Sequence, residues 1–361
     1  MPVISIRELK QSSGSEPAQA VIHVQLENNR QRTTKNGDPY HELHFADAES
    51  SLVLRVWKST PMFEQCAQLE DHKFYEITGE FGVGNDGKSI DSRNWSAREL
   101  DSSEIGNLLS GSAELREKQE YHFAFITETV AQIADPRLNY LASTLLKKWG
   151  ARFQRTGAAR DYHHARRGGL VEHVGQMMRS AVKICEAYSW LNRDLLVTGV
   201  LFHDIGKLWE NVYSEKGFTM PYTEVSELIG HIPMGMEIVN MLWRDAMNDP
   251  EIAEQWEQLE PPNDRVRLHL LHLIVAHHGE LAFGSPVVPK TPEAQALHYI
   301  DNLDAKMEMF EQGYLVAEEL GKNVYQRVRP LPGRLVRPLE KWGAPAGEIP
   351  PPEPPVEDEP F

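Results

Sequence analysis

The spacing of apolar residues changes near residue 100, and this change limits the possible folds more than any other feature of the chain. Before it, short segments are apolar-rich or alternate apolar with polar residues, and turn-forming residues separate them. These segments are 21–26, 42–46, 52–57 and 74–81. Such patterns are typical of β-strands. From about 103 to 320, apolar residues recur with the 3.6-residue period of amphipathic helices. The sequence therefore predicts a β region followed by a helical region.

The predicted fold class is multidomain β + all-α, with an N-terminal OB-like β-barrel followed by a helical domain. Short strands at this spacing are typical of a small barrel or sandwich. Residues 100–104 contain Asp and Ser, which favour a helix N-terminus, and mark the junction. We expect domains at 1–102 and 103–325, and a C-terminal extension at 326–361. Its Pro- and Glu-rich end, 343–361, predicts a disordered tail.

Seven helices are predicted in the second region from the apolar period and from the prolines that start helices or loops between them. Their expected ranges are 117–133, 136–149, 169–188, 193–208, 226–247, 264–278 and 292–320.

Composition excludes some classes of protein and leaves others open. The chain has no run of 18 apolar residues and no apolar stretch in its first 11 residues, so neither a membrane span nor a signal peptide is expected. The two cysteines, Cys66 and Cys185, lie in no paired motif, which favours a cytoplasmic setting. The net charge of -16 disfavours nucleic-acid binding when taken alone. Five acids in the predicted tail and the charge of bound cations weaken that objection.

A His-Asp pair, His203-Asp204, follows an apolar helix in the segment 201–207, which reads Leu-Phe-His-Asp-Ile-Gly-Lys. The pair offers a ring nitrogen and a carboxylate to one metal ion, and the two carboxylate oxygens of Asp204 allow it to bridge two ions. A single pair is weak evidence, because the same residues also end helices without binding a metal.

Other His and Asp residues occupy apolar helical segments in the same region. Burying such a group without a partner costs roughly 1–3 kcal/mol, so each needs either a partner or a metal. The set spreads over five successive helices, and a helical bundle can bring such residues to a common centre. The candidate metal ligands are His173, His203, Asp204, His231, His277, His278 and Asp301.

This set resembles the HD phosphohydrolase superfamily, and its dinuclear branch in particular. The resemblance implies that His173, His203, Asp204 and Asp301 hold one metal. It implies that Asp204, His231, His277 and His278 hold a second, with a hydroxide between the ions. The Gly-Tyr-Pro signature of the diguanylate-degrading branch is absent after the double His.

A closer resemblance is to the bacterial YhaM-type 3′–5′ exoribonucleases, in which an OB-fold precedes the HD domain. It runs over most of residues 20–310, and the strings that carry it are 162–165, 168–173, 203–207, 277–286 and 296–306. The family implies hydrolysis of single-stranded RNA to nucleoside 5′-monophosphates, with single-stranded DNA open as a second substrate. No membrane partner is expected from the composition, and a homo-oligomer is possible.

Mixed His and carboxylate ligands suit Mn²⁺, Fe²⁺, Co²⁺ or Zn²⁺ better than Mg²⁺. The expected cofactor is two divalent metal ions, with Mn²⁺ foremost and Fe²⁺, Co²⁺ or Zn²⁺ as alternatives. Asp204 and Lys207 are the predicted catalytic residues. Lys207 can donate to the scissile phosphate or to the leaving oxygen, or it can be a solvated lysine at a helix end. Glu172, Glu280 and His298 are left open as partners of the ligands, surface acids or core residues.

A basic run from 147 to 167 leads into the segment that carries His173 and predicts a phosphate track, although charge runs are more often solvated surfaces. In the β region, aromatic side chains are candidates for base stacking. The predicted nucleic-acid contacts are Arg160, His163, His164, Arg166, Arg167, Tyr40 and Trp57.

Two other functions stay open at this point. The first is an HD-type phosphohydrolase or phosphodiesterase that acts on a small nucleotide or a cyclic dinucleotide, with the β region as a regulator. The second is a nucleic-acid binding protein with an inactive metal site, which the complete ligand set disfavours.

Overall fold

The computed structural model describes residues 1–12, 17–84, 89–160 and 163–340. The turn predicted at 85–87, Asp161 and Tyr162 of the basic run, and the tail predicted at 343–361 lie outside the described residues. Within these ranges the chain up to Gln312 forms one compact unit, and the chain from Gly313 onward forms a second.

The N-terminal region is an antiparallel sheet in the order β4-β3-β2-β5-β6, with the short β1 parallel to β2. The strands are β1 (Val3–Ile4), β2 (Ala18–Thr33), β3 (Pro39–Ala46), β4 (Ser51–Trp57), β5 (Phe74–Val83) and β6 (Ile90–Glu99), with helices α1 (Ile6–Ser12) and α2 (Phe63–Cys66). The edge strands β4 and β6 line a common cavity of about 210 Å³, so the sheet curls toward closure. The predicted β region is confirmed, and its OB-like character stays a prediction.

Alternating burial explains why these strands form. On β4, Leu52, Leu54 and Val56 are buried, whereas the residues between them are less so. On β2 and β5, Ile22 and Ile77 are register partners in the core. Each aliphatic side chain buried this way stabilises the domain by roughly 1.5–3 kcal/mol.

The helical region packs around α7, in which all eight residues from Leu195 to Phe202 are buried. Its core partners come from α6, α10 and α12. The helices are α3 (Ser102–Ser110), α4 (Ala113–Ala131), α5 (Pro136–Phe153), α6 (Gly169–Ala187), α7 (Arg193–Phe202), α8 (Lys207–Glu210), α9 (Glu224–Ile229), α10 (His231–Met247), α11 (Pro250–Glu257), α12 (Asn263–Ala276) and α13 (Pro292–Val316). The predicted helical region is therefore confirmed.

Capping side chains mark the residues at which α3 and α7 begin. Asp101 and Glu104 form a capping box at the start of α3, where the junction was predicted. Asn192 accepts a hydrogen bond from the Leu195 amide at the start of α7.

Two predicted helices are each divided in two. The predicted helix 193–208 divides into α7 and α8, with His203 to Gly206 in the turn between them. A Cβ at Gly206 would overlap with the backbone of His231, so this turn requires the close approach that glycine allows. The predicted helix 226–247 divides at Gly230, whose φ of 73° ends α9 and starts α10.

The β region and the helical region share a small core. The side chain of Gln25 on β2 accepts a hydrogen bond from the Phe218 amide at 2.6 Å. Around it pack Ala46, Phe74, Leu115 and Tyr213, drawn from both regions.

The helix predicted to continue to residue 320 ends at Val316, so the prediction is wrong for its last turn. A three-stranded antiparallel sheet follows, made of β7 (Glu319–Gly321), β8 (Val324–Arg327) and β9 (Arg334–Val336). Strands of three or four residues leave too short a pattern for the sequence to indicate. Among the described residues, no helix has the length and apolar character needed to cross a membrane.

Candidate metal centre

The seven predicted ligands come together in two neighbouring groups, with six of them at or near helix ends and Asp301 in the middle of α13. His173 lies in α6 and Asp301 in α13, whereas His203 and Asp204 occupy the turn after α7. His231 is the first residue of α10, and His277 and His278 follow α12. Because the apolar helices end here, the polar residues that follow them face a shared space.

The first group consists of His173, His203 and Asp301, whose potential ligand atoms all lie within 4.8 Å of one another. His173 Nε2 is 3.3 Å from Asp301 Oδ1. His203 Nε2 is 3.3 Å, and His173 Nε2 is 3.8 Å, from Asp204 Oδ2. Side chains from α6, from α13 and from the turn after α7 therefore meet beside one carboxylate oxygen of Asp204.

The second group consists of His231, His277 and His278, which also meet within 4.8 Å. His231 Nε2 is 3.6 Å and His277 Nε2 is 3.7 Å from Asp204 Oδ1. The two oxygens of Asp204 thus face different groups, Oδ2 the first and Oδ1 the second. A carboxylate in this position can offer one oxygen to each group.

Several buried atoms in these groups lack a hydrogen-bond partner among the described residues. Leaving such atoms unsatisfied costs roughly 1–3 kcal/mol each, so their concentration at one place fits a site that binds a cation. They are the Nε2 atoms of His173, His203, His231 and His277, and Oδ1 of Asp204. Imidazole nitrogens and carboxylate oxygens together are suitable donors for a divalent transition metal.

The other ring nitrogen of each histidine is held by an oxygen acceptor. Since carbonyl and ionised carboxylate oxygens only accept, each Nδ1 carries a proton, and the Nε2 atoms are the ones that a metal would bind. The acceptors are Asp304 for His173 (2.7 Å), Val200 for His203 (2.8 Å), Glu210 for His231 (3.1 Å), Ile274 for His277 (2.7 Å) and Phe283 for His278 (2.7 Å). Such acceptors orient metal-binding histidines.

The electrostatics of the metal-free site also favour ligation. Burial raises the pKa of Asp204, but Lys207 and His203 outweigh it and hold the pKa well below its usual range. Burial and the charge of His203 lower the pKa of His277, so its ring is neutral. His173 differs, because burial is outweighed by Asp301 and Asp304, which raise its pKa to about 10. A metal at the first group must therefore displace the proton of His173.

Two carboxylates beside the ligands were missed by sequence reasoning. Asp304 Oδ2 accepts from His173 Nδ1 and, at 2.9 Å, from His164 Nε2. Glu210 accepts from His231. The available signal was spacing, since Asp304 follows Asp301 by three residues and so lies on the same helix face.

Glu172, left open by the sequence, belongs to a buried ion network. Its carboxylate accepts two hydrogen bonds from Arg166, at 2.9 and 2.6 Å, and an ion pair from Lys118 at 3.0 Å. Burial raises its pKa, but these cations lower it to about 2. Arg166 also pairs with Glu308 at 2.7 Å. Of the other two open residues, His298 donates from Nδ1 to the His277 carbonyl oxygen, and Glu280 is exposed.

Most residues of the predicted phosphate track have partners within the chain. Arg166 and His164 bind the buried carboxylates described above. Arg160 donates to the carbonyl oxygens of residues 210, 220 and 221 and lies over the Tyr222 ring at 4.0 Å. Arg167 donates to the carbonyl oxygens of residues 214, 215 and 217. Arg160 and Arg167 thus hold the chain between α8 and α9. The contact of the track residues with RNA stays a prediction.

His163 is different, since its Nδ1 is buried without a hydrogen-bond partner among the described residues. Its ring lies 6.0 Å from that of His173. Burial, followed by the charges of His173 and Lys207, lowers its pKa to about 4. His163 is therefore a neutral polar group at the edge of the first group.

Lys207 is buried, and its Nζ lies 2.6 Å from Asp204 Oδ2. Lys207 is therefore not the solvated helix-end lysine that the sequence left open. In the β region, Tyr40 and Trp57 are register partners on β3 and β4, and their rings lie 4.8 Å apart. Trp57 is partly exposed, so this pair presents an aromatic surface on the β region.

Comparison with known proteins finds a family model for part of the helical region and relatives that match most of the chain. The family model for the HD domain matches residues 170–306, the range that contains every candidate ligand. The 3′–5′ exoribonuclease YhaM of Oceanobacillus iheyensis is 32% identical over 279 residues, which cover 77% of this chain and 81% of that protein. The protein of the same name from Geobacillus sp. is 29% identical over 295 residues, 81% of this chain and 84% of its own.

A third relative and one solved structure add detail. The 3′–5′ exoribonuclease YhaM of Bacillus subtilis is 36% identical over 187 residues, 52% of this chain and 54% of that protein. The structure of RecG bound to a three-way DNA junction aligns with 58% of this chain and 26% of that chain, at 13% identity and a TM-score of 0.23. That likeness is too weak to indicate a shared fold.

Proposed function

This chain belongs to the family of YhaM 3′–5′ exoribonucleases, and on that premise we propose that it removes nucleotides from the 3′ end of single-stranded RNA in a metal-dependent reaction. The products are nucleoside 5′-monophosphates. One observation carries the assignment to this site: the two oxygens of Asp204 face two groups of histidines. The Nε2 atoms of His173, His203, His231 and His277 are buried there without a hydrogen-bond partner among the described residues.

The cofactor in this proposal is a pair of divalent cations, with Mn²⁺ foremost. His173, His203 and Asp301 would hold one, His231, His277 and His278 would hold the other, and Asp204 would be a ligand shared by both. Bound cations supply charge neutralisation at phosphorus and a lower pKa for water, which phosphodiester hydrolysis needs at neutral pH. The remaining parts of the reaction fall to the chain's own residues.

Lys207 is assigned to the scissile phosphate. Its Nζ sits beside Asp204 and is nearly excluded from water, so a hydrogen bond from it to a phosphate oxygen is stronger than at the surface. The same ammonium holds Asp204 ionised and oriented, so Lys207 links the bridging carboxylate to the substrate.

His163 is assigned to a second phosphate oxygen. A neutral ring has one N–H and one lone pair, and its buried Nδ1 has no described partner. A phosphate next to the first group would accept a hydrogen bond from the ring and satisfy it. The assignment depends on the ring's position and does not require a change of charge.

The β region, residues 1–102, is assigned to holding the RNA strand upstream of the helical domain at 103–325. The Tyr40–Trp57 pair offers a stacking surface that accepts any base, which suits a sequence-independent exonuclease.

The test is digestion of a 5′-labelled single-stranded RNA with Mn²⁺ by wild type, Asp204→Ala and Asp264→Ala. Asp264 is an exposed aspartate outside the site, so its variant controls for the substitution itself. We expect a ladder that shortens from the 3′ end with wild type and Asp264→Ala, and none with Asp204→Ala. Intact RNA with metal-loaded wild type, together with cleavage of a small nucleotide, would refute the proposal.

A further inference from the structure

Large apolar side chains are exposed on the two segments that carry the second group of ligands. One is α9, which ends two residues before His231. The other is the 3-10 turn Leu281–Phe283, which follows His278. The rings of His231 and His278 lie 5.2 Å apart, so both segments start from the same edge of the metal centre.

On α9, Leu228 is 76% exposed and Ile229 is 50% exposed. In the 3-10 turn, Leu281 is 66% and Phe283 is 63% exposed. Folding does not require these positions to be apolar, because none of them joins the core. Exposed apolar clusters on globular proteins are typical of binding surfaces.

Phe283 is held in place by the metal centre itself. Its carbonyl oxygen accepts the hydrogen bond from His278 Nδ1 at 2.7 Å, which fixes the turn against that ligand. The phenyl ring then extends into solvent from a backbone whose position is set by His278.

Charge separates this edge from the opposite one. Residues 220–231 and 277–289 contain three acids (Glu224, Glu227, Glu280) and no Lys or Arg. Arg160, which lies over the Tyr222 ring, donates there to the carbonyl oxygens of residues 220 and 221. Lys207 lies on the other side, at the Asp204 oxygen that faces the first group. The phosphates of a nucleotide are therefore attracted toward Lys207, and the apolar edge suits the uncharged base.

We propose that Phe283 is the stacking platform for the 3′-terminal nucleobase of the RNA, with Leu281, Leu228 and Ile229 completing an apolar rim. This inference rests on the proposed function and adds to it how the last nucleotide is positioned. Stacking on a phenyl ring accepts all four bases, so Phe283 is a positioning residue that favours a base without selecting its identity.

The experiment compares wild type, Phe283→Leu, Phe283→Trp and Trp190→Leu on two RNAs, one with an ordinary 3′-terminal nucleotide and one whose last ribose lacks its base. Leucine keeps the apolar volume and removes the ring, whereas tryptophan keeps a stacking face. Trp190 is 69% exposed in the turn after α6, with about 20 Å of helix between it and His173, so its variant controls for loss of an exposed aromatic ring.

On the ordinary RNA we expect Phe283→Leu to raise KM roughly fivefold or more with little change in kcat, since base–aromatic stacking corresponds to roughly 5- to 150-fold in affinity. Phe283→Trp and Trp190→Leu should match wild type. On the RNA that lacks the terminal base, wild type and Phe283→Leu should have the same KM.

An equal loss on both RNAs would overturn the inference, because Phe283 would then act only through His278. An unchanged KM would overturn it as well. So would a lower oligomeric mass of Phe283→Leu in sedimentation with unchanged kinetics per chain, since the rim would then join copies of the chain. Failure of the proposed function is distinct from these results, because wild type itself would then leave both RNAs intact.

Discussion

Replacing Asp304 with asparagine tests how the first metal group is held. Asp304 is buried, and a single carboxylate oxygen accepts from both His173 Nδ1 and His164 Nε2, at 2.7 and 2.9 Å. Asparagine keeps an oxygen of the same size but removes the charge. Loss of such a carboxylate behind a histidine ligand lowers metal affinity roughly 10- to 100-fold, or about 1.4–2.7 kcal/mol.

The assay is RNA cleavage by metal-stripped protein over a range of Mn²⁺ concentrations. For Asp304→Asn we expect the half-maximal concentration to rise by roughly 10- to 100-fold, with the wild-type rate recovered at saturation. Asp304→Ala should also lower thermal stability, because it leaves two buried N–H groups without an acceptor, at roughly 1–3 kcal/mol each. Asp264→Asn, at an exposed position, should leave both quantities unchanged.

The reasoning is refuted if Asp304→Asn has the wild-type Mn²⁺ dependence. It is also refuted if no Mn²⁺ concentration restores activity, because Asp304 would then act in the reaction itself and not on the position of His173.

Three further predictions concern protonation, phosphate contact and backbone approach. In the metal-free protein the raised pKa of His173 stabilises the fold fully below pH 6.5, and this contribution is lost as the pH rises through about 10. Since a cation must displace that proton, Mn²⁺ affinity should rise by about tenfold per pH unit between pH 7 and 8.5. Calorimetry in different buffers would measure the proton release. A pH-independent affinity would contradict this prediction. Lys207→Met should lower kcat by roughly 100- to 1,000-fold while bound metal, measured by atomic emission, stays at the wild-type level. Lys183→Met, at an exposed position, is its control, and parallel loss of metal would show a structural role. Gly206→Ala should weaken metal binding at the second group, because a Cβ at this position overlaps with the His231 backbone. Gly106→Ala is the control, since a Cβ at Gly106 meets no atom within 4 Å, and it should be neutral. An equal metal content in both glycine variants would contradict that explanation.

The candidate ligands were accessible to sequence reasoning because each is a metal-binding residue type within an apolar helical pattern. A helix such as α7 buries its apolar residues on all sides, so His203 and Asp204 at its end stand out from the segment before them. The same contrast marks His277 after α12 and Asp301 within α13.

Residues that act on the ligands were less accessible. Glu210 carries no pattern that distinguishes it from a surface acid, and Asp304 has only its three-residue spacing from Asp301. The packing of α13 and α8 brings the two carboxylates to His173 and His231. The basic run shows the opposite problem. Arg166 has the composition of a phosphate contact, yet its partners are Glu172 and Glu308, the second of which lies 142 residues away.

The short sheet β7–β9 was missed for a local reason. Its strands have three or four residues, so their pairing depends on register with each other and leaves no periodic signal. The preceding pattern of α13 was therefore extended too far, to residue 320.

By itself, the sequence determined the order of a β region and a helical region, because burial imposes periods of two and 3.6 residues on the chain. It also determined which residue types were available to bind a metal. Tertiary structure alone decided that the two oxygens of Asp204 face different histidine groups, that each Nδ1 has an acceptor, and that Arg166 pairs with buried acids. These are properties of distances between segments far apart in the chain, and a linear pattern of residues does not specify such distances.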